Sequence, residues 1–238
     1  MLHGATGNEN TTCDRLADRD IFPHQHAEDY NHIMVSPNGW TRNPLWRETQ
    51  ALYSFEKSFA MAMHEFPVKR SRVFITGNSF GGKGTLELAM RFPERFRAMA
   101  PTAAKIGERG RYLETVEGIR LYEEWINFEE TGYGLNDITA YDLSDIAHMP
   151  TMLVQGTGDT TTSYYFQIGN YVRDGALVVG VMPKLTNAIY LVVEKGFHSY
   201  AYDTALKPIF DFFESQLGRC KRTIDSDTLS ICRTEGEA

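Results

Sequence analysis

Residues Val73 to Gly84 read VFITGNSFGGKG, and the reading of the whole chain turns on them. Apolar and β-branched residues run directly into glycines at 77, 81, 82 and 84, with one serine, Ser79, among them. A short apolar run of this kind is what a buried parallel strand requires, and Arg72 to Thr76 is expected to be one. From about Gly82 to Arg91 the pattern is helical, and Phe92-Pro93 stops it. The corner between strand and helix is Gly77-Asn78-Ser79-Phe80-Gly81, a G-x-S-x-G. A glycine-rich corner can be a tight turn and nothing more. It can also be a nucleophile elbow, in which a strained serine is pushed clear of the sheet and glycines two positions away leave it room. The helix that follows then points its positive end at the reacting centre.

Working outward, apolar runs alternate with helical patterns, so the expected architecture is a mostly parallel sheet with helices on both faces. His32 to Ser36 (HIMVS) reads as a strand ending at Pro37-Asn38-Gly39. Leu45 to Phe66 reads as a helix, with Leu52, Phe55, Phe59 and Met63 on one face and Pro67 as its stop. Phe96 to Ala100, Thr151 to Gln155 and Ala188 to Val193 read as further strands. Tyr164 to Arg173 is expected to be helical, and Tyr202 to Leu217 a closing helix with Leu206, Ile209, Phe210 and Phe213 on one side. Residues 105–148, rich in charge (LYEEWINFEE), are expected to form a helical excursion over one end of the sheet. Residues 1–217 make one domain, and 218–238 form a polar, loose tail.

A serine nucleophile needs a base, and the base needs an orienting acid, in the chain order Ser, acid, His for this kind of elbow. Downstream of Ser79 stand two histidines, His148 and His198. His198 lies in GFHSY, after a strand, at the same sheet end as the elbow and where ligands bind in open α/β sheets. His148 precedes a strand and belongs at the opposite end. Asp159 follows the Thr151–Gln155 strand in QGTGDTTT and is the best-placed acid. An Asx-type turn would also suit that aspartate. Asp137, Asp142 and Asp145 fall in the excursion, with no strand before them. The oxyanion donors are expected to be the backbone N–H groups of Phe80 and of Ala5, the latter in the opening His3-Gly4-Ala5 loop, with His3 structural.

Composition narrows the alternatives. The chain has 238 residues, 24 basic and 31 acidic, for a net charge of −7. No basic face or stripe stands out, so nucleic acid is not an expected partner. No run of about 18 apolar residues is present to span a membrane. The three cysteines, Cys13, Cys220 and Cys232, form no CxxC pair and no zinc-type spacing, so no metal or cofactor is called for. Three free thiols and a Cys220–Cys232 disulfide remain equally open readings. The start carries neither the charge nor the apolar run of a signal peptide, which as given reads as cytoplasmic, or as secreted were the N-terminus truncated.

The segments LHGATG, MVSPNGW, RVFITGNSFGGKGTLELAMRFPERFRAMAP, PTMLVQGTGD and GFHSY together resemble an α/β-hydrolase. Within that superfamily they resemble the serine esterase branch of polyhydroxybutyrate depolymerases, feruloyl and acetylxylan esterases and prolyl-oligopeptidase-like relatives. The resemblance implies a carboxylic ester hydrolase with a Ser79–His198–Asp159 triad acting on a small-molecule or carbohydrate-linked ester. A serine peptidase of prolyl-oligopeptidase type, or a non-catalytic binding domain of the same fold, are the rival readings. In the family, two or three strands precede the His-Gly loop, which here begins at His3. The first strands are therefore expected to be absent, leaving a sheet edge open to homodimerisation. Trp40, Trp46, Tyr164, Tyr165 and Tyr200 are expected near the site as a substrate wall, and the 105–148 excursion, with Trp125 and Tyr133, as a lid.

Overall fold

The computed structural model describes residues 1–4, 23–39, 46, 49–104, 110–116, 119–124, 143–159, 162, 170–173, 176–179, 184–198, 200–218, 220–222 and 232–234. Its strands are β1 (Phe74–Asn78), β2 (Ala98–Thr102), β3 (Gly110–Val116), β4 (Ile119–Glu124), β5 (Thr151–Gly156), β6 (Asn170–Arg173), β7 (Ala176–Val179), β8 (Ala188–Val193), β9 (Cys220–Arg222) and β10 (Cys232–Thr234). Four of them form the parallel sheet that carries the fold, in the order β1-β2-β5-β8. Its strands are short, apolar runs, and β1, β2 and β5 are buried almost throughout.

Side chains alternate across that sheet with period two, and each face packs against helix. Met99 of β2 and Leu153 of β5 join Phe55, Leu86 and Leu88 in one core. This brings in α2 (Thr49–Glu65) and α3 (Phe80–Arg91) on that face. Ala98, Ala100, Met152 and Val154 point the other way, against Ile209, Phe212 and Phe213 of α4 (Tyr200–Gln216). The expected faces of α2 and α4 are the ones buried: Phe55 in the first, Leu206, Ile209, Phe210 and Phe213 in the second. A further short helix, α1 (Pro23–Asp29), was not read from the sequence, although Pro23 stands at its first position, where proline is favoured.

Several expectations are corrected. Residues 32–36 are described but form no strand. The place beside β1 is taken by Leu2, which pairs in parallel with Gly77 and donates its N–H to the Thr76 carbonyl at 2.8 Å. The Val35 carbonyl instead accepts from the Met1 amine at 2.7 Å. In the described part of the 105–148 excursion a 3₁₀ turn stands at Ser144–Ile146, and residues 110–116 and 119–124 are strands: β3 and β4 pair antiparallel, with an irregularity between Tyr112 and Glu114. Charge suggested helix there, but GRYLETV and IRLYEE carry the aromatic and β-branched residues that favour strands. These two strands join β6 and β7 in a second sheet, ordered β3-β4-β6-β7. Residues 170–173, expected to end a helix, are β6 and run antiparallel to β7. The tail carries β9 and β10, whose register sets Cys220 opposite Thr234 and Cys232 opposite Arg222. The two cysteines therefore sit at opposite corners of that ladder rather than facing each other.

A cavity of about 350 Å³ lies along the outer side of β1, lined among others by Met1, Val35, Phe59, Phe74 and Phe213. Ser79, Asp159 and His198 are not among its lining residues. Among the described residues no helix is long and apolar enough to cross a membrane.

Candidate active site

The corner at Ser79 is built as a strained turn. Ser79 caps α3 at φ 60°, ψ −116°, a region that residues with a Cβ rarely occupy. Such a conformation persists only where its surroundings over-determine it. Here the Ser79 N–H donates to the Thr102 carbonyl at the end of β2, 2.9 Å away. The Ser79 carbonyl accepts from the Lys83 N–H at 3.0 Å, the first turn of α3. Close approach explains the flanking glycines. A Cβ at Gly77 would lie 2.6 Å from the Gly81 backbone, and one at Gly81 would lie 2.1 Å from the Leu2 carbonyl oxygen.

The opening segment is pressed against this corner. A Cβ at Gly4 would lie 3.0 Å from the Asn78 carbonyl oxygen and 3.3 Å from Ser79 Cβ. His3 holds the segment in place. Its Nε2 accepts the Gly39 N–H at 2.9 Å, so the ring proton is on Nδ1, which donates to the Gly4 carbonyl at 3.0 Å. The ring is buried and meets Trp46 edge-on at 5.3 Å. His3 is thus engaged at both nitrogens. Phe80, whose N–H is the expected first oxyanion donor, opens α3 directly after the serine. Ala5, the expected second donor, lies outside the described residues.

Asp159 and His198 meet. His198 Nδ1 donates to Asp159 Oδ2 at 2.7 Å. The Asp159 side chain is fully buried, and that of His198 is 20% exposed. Three more donors hold the carboxylate. Gln155 Nε2 (2.9 Å) and Thr162 Oγ1 (2.7 Å) reach Oδ2, while the Thr162 N–H reaches Oδ1 at 2.9 Å. Burial by itself pushes the acid up. It is outweighed by the hydrogen bond and charge of His198 and by both bonds from Thr162, so Asp159 is held below the ordinary carboxylate value. The turn and the charge pair divide the carboxylate between them: Oδ1 closes an Asx-type turn, and Oδ2 faces the histidine.

Gln155 and Thr162 were not singled out from the sequence. Nothing in GTGDTTT distinguishes Thr162 from Thr160 and Thr161, and Gln155 reads as one more residue of a buried strand. His148 is exposed and precedes β5, at the sheet end opposite to Asp159. Of the expected aromatic wall, Trp46 is a core residue instead. It is fully buried, and its ring fills the space beside Gly84, where a Cβ would lie 2.0 Å from Trp46 Cδ1. Trp40, Tyr164 and Tyr165 lie outside the described residues, as do Trp125 and Tyr133 of the expected lid, and Tyr200 is described only as the first residue of α4. Among the described residues no group of three or more His, Cys, Asp or Glu side chains could hold a metal ion.

A serine at positive φ between a parallel strand and a helix, with an acid–histidine pair on loops after later strands, is the arrangement of the α/β-hydrolase fold. The comparisons agree. The prolyl oligopeptidase family matches residues 51–168. The S-formylglutathione hydrolase of Agrobacterium tumefaciens has a similar structure, with a TM-score of 0.56 and 17% identity, over 91% of this chain and 83% of that one. Est1E from Butyrivibrio proteoclasticus is similar at a TM-score of 0.57 and 13% identity, over 91% and 86%. In sequence, S-formylglutathione hydrolase from Paracoccus denitrificans (strain Pd 1222) is 44% identical over 43 residues, a stretch that spans 18% of this chain and 15% of that protein. The chain has the α/β-hydrolase fold.

Proposed function

We propose that this chain hydrolyses carboxylic esters through an acyl-enzyme on Ser79, with His198 as base and Asp159 as the acid that orients it. The observation that carries this reading is the 2.7 Å contact between His198 Nδ1 and buried Asp159 Oδ2. An ionised carboxylate only accepts, so the ring proton is on Nδ1 and the Nε2 lone pair is the one available to a nucleophile. In this scheme Ser79 Oγ attacks the ester carbonyl carbon as its proton passes to His198 Nε2. The tetrahedral oxyanion is held by the Phe80 and Ala5 N–H groups. Its collapse expels the alcohol, which takes the proton from His198. Water, deprotonated by the same nitrogen, then attacks the acyl-Ser79 ester, and the acid leaves with Ser79 regenerated.

Short acyl esters, including carbohydrate-linked ones, are the substrates proposed. Likeness to S-formylglutathione hydrolases supports acyl transfer from oxygen or sulfur esters in general. A second reading, cleavage of peptide amides, is favoured by the match to the prolyl oligopeptidase family alone.

The test is a panel of p-nitrophenyl esters of increasing acyl length, run beside proline-containing peptide anilides. Ester turnover that disappears in Ser79→Ala is expected. Ester turnover unchanged in Ser79→Ala would sink the proposal, and peptide cleavage without ester cleavage would favour the second reading.

A further inference from the structure

We infer that Thr162 is a positioning residue for the proposed acid–base pair: its backbone N–H and its hydroxyl grip the two oxygens of Asp159 beside the end of β2. This rests on the triad reading and goes beyond it. Thr162 is buried, and it reaches both carboxylate oxygens, with the N–H to Oδ1 at 2.9 Å and the hydroxyl to Oδ2 at 2.7 Å. Contacts on both oxygens let Thr162, together with Gln155 and His198, set the rotation of the carboxylate. The same hydroxyl lies 3.2 Å from the Ala103 carbonyl and 3.3 Å from His198 Nδ1. It has one proton, and the charged, nearer Oδ2 takes it.

Ala103, 3.2 Å from that hydroxyl, lies next to the serine corner. It follows β2 in a left-handed conformation, φ 42°, which turns the chain sharply at the strand end. Its own N–H is fixed to the Val154 carbonyl of β5 at 2.8 Å. The residue before it, Thr102, supplies the carbonyl that holds the Ser79 N–H. The Thr162 hydroxyl thus lies against the same strand end that holds the serine corner. Gln155 adds a second side-chain donor to Oδ2 and also bonds the Thr162 carbonyl at 3.1 Å, which stiffens the loop from its strand end.

With His198, Gln155 and Thr162 all donating to Oδ2, that oxygen is satisfied before the imidazole becomes charged. Removing one neutral donor leaves Oδ2 a stronger acceptor for the His198 ring. Among the described residues the charge facing His198 from the acid loop is Asp159. Glu194 and Lys195 on its own loop are exposed, and Lys83 and Glu87 on α3 face each other at 3.6 Å.

The experiment measures kcat and KM across pH for Thr162→Val, Thr162→Ser and Ser79→Ala on one p-nitrophenyl ester. Thr162→Val keeps the shape and the backbone bond and removes the hydroxyl. Its kcat is expected to fall roughly tenfold or more, as for loss of a hydrogen bond to a charged group, with KM nearly unchanged. The acid limb of kcat/KM should move up by about half a unit or more. Thr162→Ser should restore both. A wild-type kcat and limb in Thr162→Val, beside an inactive Ser79→Ala, overturns the positioning role and leaves the triad standing. A fall in kcat that comes without a shift of the limb, or that serine does not rescue, overturns it as well. An active Ser79→Ala overturns the triad reading and this one with it. If Thr162→Val does not fold, Thr162→Ala removes the same hydroxyl, and a wild-type kcat and acid limb there overturn the inference.

Discussion

Exchanging Ser79 for glycine is expected to cost almost nothing in stability, although the site is buried. At φ 60°, ψ −116° a residue with a Cβ is strained, by about 1–3 kcal/mol, whereas glycine enters positive φ freely. Two terms oppose the gain. Glycine widens the unfolded ensemble, costing about 0.4–1 kcal/mol, and a buried Cβ is lost, worth about 0.8 kcal/mol. With the strain near the middle of its range, the sum lies within about 0.5 kcal/mol of zero. The proper reference is Ser79→Ala, which removes the hydroxyl in both arms and keeps the Cβ. Ala89, fully buried in the body of the same helix, supplies the control. There no strain is relieved, and Ala89→Gly should cost about 1 kcal/mol in helix propensity plus about 0.8 kcal/mol of burial.

The two exchanges should therefore differ by about 2 kcal/mol, which is the strain itself. In a chain of this length that is roughly 4–8 °C of melting temperature. The assay is thermal unfolding followed by circular dichroism on wild type, Ser79→Ala, Ser79→Gly and Ala89→Gly at one pH. Ser79→Gly should melt within a degree or two of Ser79→Ala, and Ala89→Gly well below wild type. A Ser79→Gly deficit as large as that of Ala89→Gly would refute the strain reasoning, and with it the physical case for an elbow rather than a plain corner.

Gly81→Ala should damage the site from the side of the opening segment. Its Cβ would lie 2.1 Å from the Leu2 carbonyl oxygen and 2.8 Å from that of His3, so the strip carrying Gly4 must move away from Ser79. Ester turnover is expected to fall by about 10²-fold, the scale of a misplaced oxyanion donor. The acid stability of Asp159 has a definite sign. Its folded-state value is depressed below the ordinary 3.8, so its contribution is complete above 3.8 and is lost as pH falls through the lower folded value. Urea unfolding of wild type against Asp159→Asn should show a stability gap that is constant at neutral pH and closes at strongly acid pH. A gap that widened on acidification would contradict the pairing.

The serine corner was legible because its signal is local. Strand, tight turn and helix follow each other within VFITGNSFGGKG, and backbone sterics over a dozen residues decide what can stand there. The order Ser79, Asp159, His198 was legible too, since each follows a β-run and parallel strands bring their carboxyl ends to one side. Where neighbours in space are far apart in sequence, the residues alone were mute. Leu2, not His32–Ser36, took the place beside β1, because edge pairing depends on which segment reaches those hydrogen-bonding groups first. Residues 110–116 and 119–124 paired as strands despite their charges, since a ladder rewards cross-strand neighbours that no single segment displays. Trp46 passed for a binding-site aromatic until its ring was found filling the gap beside Gly84. Sequence by itself determined the glycine-flanked corner at Ser79, the layering and the chain order of the residues proposed for the chemistry. Only the tertiary structure chose Thr162 and Gln155 as the partners of Asp159, because a hydrogen-bond network is satisfied in space, between groups whose order along the chain carries no trace of it.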